Sequence, residues 1–193
     1  MPYDEELEEL AHLAERGVHP PEEMPFFTAW TDGIGKPGFV DGFVAFHHAQ
    51  RRDWEVDHWH LILGTWAGSK LIGTQGIEAS EFRSLRAAET GSWLGQGYQG
   101  NGYGTEMRAA MLALFFRGLG GEVATSGALD GNVASARVSQ KLGYELAGEA
   151  LVAPRGEPVR EQKFRLTRER WESRQRPRVE LEGLEPCLPL FGV

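Results

Sequence analysis

The amino-acid sequence predicts one α/β domain in which strands and helices follow one another along the chain. Two extended apolar runs, residues 59–66 and 71–79, are joined by a short turn and therefore predict a β-hairpin. After a third short strand, residues 90–94, a glycine-rich stretch leads into apolar residues at helical spacing. The length of 193 residues is that of a single domain with a sizeable core.

Two helices are predicted ahead of the hairpin. Residues 2–17 carry an apolar stripe at helical spacing, acidic side chains in the first turn and Asp4 as a candidate cap. Residues 39–53 place phenylalanines at the same spacing, which is typical of a helix face that packs on a core.

The connection between these helices, residues 19–38, is rich in proline and glycine and predicts a loop. It carries the aromatic residues Phe26, Phe27 and Trp30. Aromatic side chains on a loop either line a ligand pocket or anchor the loop to the core. Phe27 and Trp30 are therefore candidate substrate-binding residues, with an anchoring role as the alternative.

The glycine-rich stretch carries the main functional information in the sequence. Within ten residues it holds five glycines: Gly95, Gly97, Gly100, Gly102 and Gly104. A strand, a glycine loop and a helix start bring backbone N–H groups and the positive end of a helix to one point, where a phosphate binds. Glycine suits such a loop because it has no Cβ to keep the anion away from the backbone.

Two known types of phosphate-binding loop fit this stretch poorly. A Walker A loop is excluded because no lysine lies between Lys70 and Lys141. The pattern G-x-G-x-x-G begins at Gly95 and would indicate a dinucleotide site, but Glu122 opens the next apolar run instead of closing it. A glycine-rich turn without any ligand stays open as a further alternative.

A second informative block follows the next strand, in residues 129–145. It predicts a helix that Asp130 or Asn132 caps and that ends at Gly143. Ser135 lies one turn after Asn132, so both side chains can face one ligand. The alternative is that both are ordinary residues of a helix start.

The two blocks together resemble the motifs of the GCN5-related N-acetyltransferase (GNAT) superfamily. Gln99-x-x-Gly102-x-Gly104 is similar to its pyrophosphate-binding motif, and Asn132-x-x-Ser135 followed by the KLGY segment from Lys141 is similar to its second motif. The stretch TGSWLGQGYQGNGYGTEM most resembles the branch of the ribosomal-protein N-terminal acetyltransferases (the Rim type). That branch has many bacterial members, and some relatives transfer succinyl groups.

The resemblance implies a fold and a reaction. The fold is the α/β (α+β) acyl-coenzyme A N-acyltransferase fold, a central mixed and mostly antiparallel sheet flanked by helices, with splayed strands at the donor site. The reaction is transfer of an acetyl or succinyl group from acyl-coenzyme A to a primary amine in a ternary complex. The family usually begins with a strand before its first helix, and no residues in this sequence suit that strand.

The resemblance also implies roles for individual residues. The backbone of Trp93, Leu94 and Gly95 would pair with the pantetheine arm, Asn132 would contact it, and Ser135 would lie near the thiol as a general acid. Glu89 would be the general base, with Glu78, Glu149 and Glu157 as rivals. The remaining donor-binding residues would be Gln99, Gly100, Asn101, Gly102, Tyr103, Gly104, Thr105 and Lys141.

Composition sets limits on the partners. The net charge of −8 argues against nucleic-acid binding and favours cationic partners such as amines. No apolar run reaches the roughly 20 residues that span a bilayer, so no membrane partner is expected. The single cysteine, Cys187, fits a reducing cytoplasm, and the histidine spacing matches no zinc motif, so no metal is expected.

We expect residues 1–172 to form one acyltransferase domain and residues 173–193 a C-terminal tail that packs on the domain, packs on a partner subunit in a homo-oligomer, or stays disordered. Two other functions remain open. The chain could bind acyl-coenzyme A without turnover, as a sensor or assembly module. The chain could also bind a nicotinamide or flavin dinucleotide, which is the less favoured alternative.

Overall fold

The computed structural model describes residues 1–175 and 177–193, and six strands form one sheet. The spatial order is β1-β2-β3-β4-β6-β5, and β3 and β4 are the parallel pair while the other neighbours are antiparallel. The strands are β1 (His58–Ala67), β2 (Lys70–Ser80), β3 (Ala87–Leu94), β4 (Val123–Leu129), β5 (Glu145–Val152) and β6 (Val159–Thr167). The predicted mixed, mostly antiparallel sheet is thus confirmed.

Helices cover both faces of this sheet. They are α1 (Asp4–Glu15), α2 (Phe39–Arg52), α3 (Phe82–Leu85), α4 (Tyr103–Ala113), α5 (Val133–Leu142) and α6 (Arg168–Glu172). Helix α4 continues into one π-helical turn, Leu114–Gly118, and short 3₁₀ turns lie at Trp30–Gly33, Gln96–Tyr98 and Glu185–Phe191. Within the described residues no strand precedes α1, in contrast to the usual start of the family.

The start of α1 differs from the sequence prediction. The cap position belongs to Tyr3, whose backbone N–H donates to the Glu6 carboxylate at 2.7 Å. Asp4 was expected to cap the helix, but its carboxylate accepts a hydrogen bond from His48 of α2 at 2.8 Å. Asp4 therefore joins the two N-terminal helices instead of capping the first.

The main core lies between the sheet and α4. Leu112, Phe115 and Phe116 are fully buried there against Ile77 of β2. A smaller core on the opposite face joins leucines of α1 to Leu71 of β2. Both faces of the central strands are therefore covered except where the helices leave openings, and the edge strand β5 is largely exposed.

One such opening arises in the middle of the sheet. The parallel strands β3 and β4 pair over three positions only, and the last pair is Glu89 with Thr125. Beyond that point β3 stays paired with β2 as far as Leu94, and β4 stays paired with β6 as far as Leu129. The two strands therefore diverge, and we call the space between them the gap.

The end of the chain packs back onto the domain. Phe191 is buried and meets the rings of Trp54 and Trp59 edge-on. Among the described residues, no helix combines the length and the apolar character needed to cross a bilayer.

Candidate active site

The glycine loop leads from the end of β3 into α4. Gly100 and Gly102 have φ values of 77° and 91°, in the left-handed region that favours glycine. A Cβ at either position would have no atom within 4 Å, so the loop faces open space. The glycines are thus required by the backbone conformation, and the loop is accessible to a ligand.

Five consecutive backbone amides of this loop are available to bind an anion. Within the described part of the chain, none of the backbone N–H groups of residues 100–104 donates a hydrogen bond to the protein. The amides at the two ends of the predicted set are already used, because Gln99 N–H donates to Gln96 at 3.2 Å and Thr105 N–H to Gly102 at 3.0 Å. Five of the seven amides in the predicted cradle, residues 99–105, are therefore without a protein acceptor, at the positive end of α4.

Gln99 holds the loop in place. Its side-chain amide donates to the carbonyl of Val18 at 2.7 Å and to that of Leu94 at 2.9 Å. The Gly95 amide donates to the carbonyl of Ile72 at 3.0 Å, and the Asn101 side chain donates to the Gln99 carbonyl at 3.0 Å. The Leu94 carbonyl and the Gly95 amide, expected to pair with a ligand, are thus already bonded within the protein.

The second motif lies beside the gap on α5. Asn132 caps this helix, because its Oδ1 accepts a hydrogen bond from the Ser135 amide at 3.1 Å. Its Nδ2 donates to Pro25 at 3.1 Å, so Asn132 also tethers the aromatic loop. Ser135 Oγ donates to the carbonyl of Gly127 on β4 at 3.4 Å, beyond the point where the strands part. Lys141 is exposed on the last turn of α5.

A row of polar side chains crosses the sheet on the face that points away from α4. His60, Glu78, Glu89 and Thr125 occupy directly paired positions on four neighbouring strands. They line a cleft of about 540 Å³ that also includes Gln50 of α2. Gln50 Oε1 lies 2.9 Å from His60 Nδ1. Glu89 therefore stands at the closed end of the gap and in the wall of a cleft.

The surroundings of Glu89 suit a general base. Partial desolvation of its carboxylate in the cleft raises its pKa above the usual value of 4.5, and the nearby carboxylates of Glu78 and Glu161 raise it further. The positive charges of Lys163 and Arg108 oppose this effect. Burial lowers the pKa of His60, and the nearby Glu78 carboxylate opposes this effect. A carboxylate with a raised pKa accepts a proton more readily near neutral pH.

The two predicted substrate-binding aromatics have different surroundings. Phe27 is 42% exposed, and its ring lies against Gly127, where a Cβ would come within 2.5 Å of it. Trp30 packs on Phe26 and on Trp93, with ring centroids 5.3 and 5.6 Å apart. Phe27 thus covers β4 beside the gap, while Trp30 joins the loop to the end of β3.

Sequence reasoning missed one residue at the gap, Arg108. It is 2% exposed, and its guanidinium donates to Ser126 and Ser92 at 2.9 and 3.0 Å. An available signal was its place among Met107, Met111 and Leu112 on the buried side of α4.

Among residues 1–175 and 177–193, no group of His, Cys, Asp and Glu side chains is arranged to hold a metal ion.

Comparison with known proteins identifies similar domains. A family model described as an acetyltransferase (GNAT) domain matches residues 7–145, which is well over half of the chain. Among solved structures, a ribosomal-protein-alanine N-acetyltransferase from Brucella melitensis superposes with a TM-score of 0.63 at 15% identity, covering 86% of this chain and 96% of that one.

Two other structures give similar values. An N-acetyltransferase from Staphylococcus aureus Mu50 has a TM-score of 0.65 at 14% identity, covering 86% of this chain and 95% of its own. The microcin C7 self-immunity acetyltransferase MccE, solved with acetyl-CoA and AMP, has a TM-score of 0.64 at 16% identity, covering 86% of this chain and 87% of its own. At these identities the likeness establishes the fold.

Proposed function

We propose that this chain, which belongs to the family of GNAT acetyltransferase domains, transfers an acetyl group from acetyl-coenzyme A directly to a primary amine. The observation that carries the proposal is the set of five unbonded amides, residues 100–104, at the start of α4 beside the gap. A diphosphate is the ligand that such a cradle accepts.

The residues of this chain fit the donor. The five amides and the α4 dipole would hold the diphosphate, and the diverging ends of β3 and β4 would admit the pantetheine arm. We propose Trp93, Asn132 and Lys141 as further donor contacts. These contacts change little during the reaction, so they supply affinity and orientation more than rate. Acetyl is the proposed acyl group, and succinyl is the alternative.

Two side chains are proposed as catalytic. Glu89 takes the proton that the attacking amine must lose, directly or through water. Ser135 donates a hydrogen bond to the departing sulfur, because its hydroxyl lies next to the gap at Gly127. A bound acyl-coenzyme A supplies an activated thioester, so transfer needs no nucleophile from the protein. Phe27 and Trp30 are proposed to flank the acceptor.

The acceptor is an amine in this proposal, because Glu78 adds a second carboxylate to the cleft beside Glu89, whereas the carboxylate of Asp53 is paired with Arg52. A protein N-terminus, as in the Rim-type branch, a lysine side chain and a small amine all fit this chemistry. We further propose a cytoplasmic protein with a catalytic domain in residues 1–172, a tail in residues 173–193 and no nucleic-acid or membrane partner.

Thiol release tests the proposal. The purified protein is incubated with acetyl-coenzyme A or succinyl-coenzyme A and a panel of amines, and free thiol and acylated amine are both quantified. Amine-dependent release with a matching product supports transfer and identifies the acyl group. Donor binding without turnover for any amine would instead favour the sensor, and competition by a nicotinamide or flavin dinucleotide would favour the dinucleotide alternative.

Gly102→Ala is expected to weaken acetyl-coenzyme A binding about tenfold while leaving kcat nearly unchanged. The reason is that φ of 91° costs a residue with a Cβ about 1–2 kcal/mol, so the loop relaxes and the cradle loses its shape. Isothermal titration and the KM for the donor measure the effect. Gly97→Ala is the matched control, because Gly97 has open space around it and does not have positive φ. Equal affinity in both variants would contradict the assignment of the cradle.

A further inference from the structure

Arg108 is a buried charge without an ionic partner. It lies in the second turn of α4, and its side chain is 2% exposed. Within the described part of the chain, no carboxylate comes within salt-bridge distance of its guanidinium. Burying a charge without a counter-charge is costly, so this residue needs a reason beyond packing.

The hydrogen bonds of Arg108 go to neutral groups on three strands. Nη1 donates to Ser126 Oγ of β4 at 2.9 Å, and Nη2 donates to Ser92 Oγ of β3 at 3.0 Å. Nε donates to Gln75 Oε1 of β2 at 3.3 Å. Both serines lie beyond the last β3–β4 pair, so the guanidinium bridges the two strands where they have parted. One planar group thus takes the place of the missing backbone pairing.

Burial lowers the pKa of Arg108, whereas Tyr144 and Glu89 raise it, and an arginine stays protonated at pH 7. The Tyr144 hydroxyl interacts with it, and burial raises the pKa of this tyrosine, so the hydroxyl stays neutral at physiological pH. Glu89 is the carboxylate that attracts it, from beyond contact distance and from the opposite face of the sheet. The positive charge therefore remains uncompensated next to the gap.

We propose that Arg108 is a positioning residue of the transfer reaction, which fixes the separation of β3 and β4 through Ser92 and Ser126 and stabilises negative charge on the sulfur that leaves in the gap. This inference rests on the proposed function. In the reaction the amine nitrogen forms the new C–N bond with its lone pair, the C–S bond breaks with its electrons passing to sulfur, and the amine proton passes to Glu89. A buried cation stabilises a nearby thiolate more than a cation in water does.

Ligand binding separates this role from a structural one. The affinities of coenzyme A and of its S-methyl thioether, which cannot ionise at sulfur, are measured roughly between pH 7 and pH 10, the range in which thiols titrate. For the wild-type protein we expect the affinity of coenzyme A, relative to that of the thioether, to rise at least about tenfold as the pH rises. This pH-dependent gain in affinity is equivalent to lowering the pKa of the bound thiol by about one unit. The absence of this gain in the wild-type protein would overturn the proposal without any variant.

Two variants then assign the effect. Arg108→Met keeps the bulk of the side chain and removes the charge, so the pH-dependent gain is expected to disappear while the thioether still binds. Ser92→Ala combined with Ser126→Ala removes the bridge and keeps the charge, so the gain is expected to persist while kcat falls. A gain retained in Arg108→Met, or an equal loss of both ligands in that variant, would overturn the role of the charge. Failure of the wild-type protein to bind either ligand would refute the proposed function itself.

Discussion

Glu89→Gln is expected to lower kcat about 100-fold, because an amide cannot take the proton that the amine loses during attack. The KM for acetyl-coenzyme A should change little, since Glu89 faces the cleft that Glu78 and His60 also line and lies away from the glycine loop. Steady-state kinetics with a saturating amine measure both constants. A kcat within twofold of the wild-type value would remove Glu89 from the mechanism.

The pH dependence gives an independent check on Glu89. Its pKa is raised by partial desolvation and by nearby carboxylates, and the base acts when deprotonated, so kcat should fall as the pH decreases through this raised pKa. Glu78→Gln removes one of the neighbouring charges and should move that acidic limb to lower pH. Glu157→Gln is the control, because Glu157 lies exposed between β5 and β6, far along the chain from the cleft. A limb that stays in place in Glu89→Gln would contradict the assignment.

Gly73→Ala is expected to lower the free energy of unfolding by about 3 kcal/mol, because the new Cβ collides with main chain that cannot move aside. Gly73 of β2 pairs with Leu94 of β3, and a Cβ there would lie 2.8 Å from the Leu94 Cα and would also overlap the Trp93 carbonyl oxygen. For a chain of this size the midpoint of thermal unfolding should fall by roughly 6–12 °C. The collision also displaces the end of β3, which leads directly into the glycine loop.

Gly91→Ala is the matched control for that change. Gly91 lies on β3, it does not have positive φ, and a Cβ there would meet no atom within 4 Å. We expect its free energy of unfolding to stay within about 0.5 kcal/mol of the wild-type value. Both proteins are compared by thermal and denaturant unfolding. Similar stabilities for the two variants would show that β2 and β3 adjust more easily than the register implies.

The features that the sequence predicted well are those fixed by neighbouring residues. Gly100 and Gly102 have left-handed backbones that glycine adopts without strain, so their spacing was informative without knowledge of the fold. Asn132 likewise acts on an amide three residues away. The hairpin of β1 and β2 and the helix after the glycine loop also follow from local periodicity.

The remaining features depend on contacts between distant parts of the chain. Asp4 is bonded to His48 instead of capping its own helix, a contact across 44 residues. The insertion of β6 between β4 and β5 leaves no pattern in the sequence. Arg108 could be noticed as a charge on an apolar face, but its bridge between β3 and β4 becomes visible only when both strands are in place.

The packing of the last residues has an optical consequence. Trp54 and Trp59 stack with ring centroids 5.8 Å apart and an angle of 15° between their planes, and Phe191 meets both of them at 5.1 and 5.0 Å. Aromatic rings held in fixed packing give a near-ultraviolet circular dichroism signal, which is lost when the packing loosens. Because the third ring of the set belongs to the chain end, and Trp54 Nε1 donates a hydrogen bond to the Leu190 carbonyl at 2.9 Å, this signal reports whether that end is docked, without any attached label.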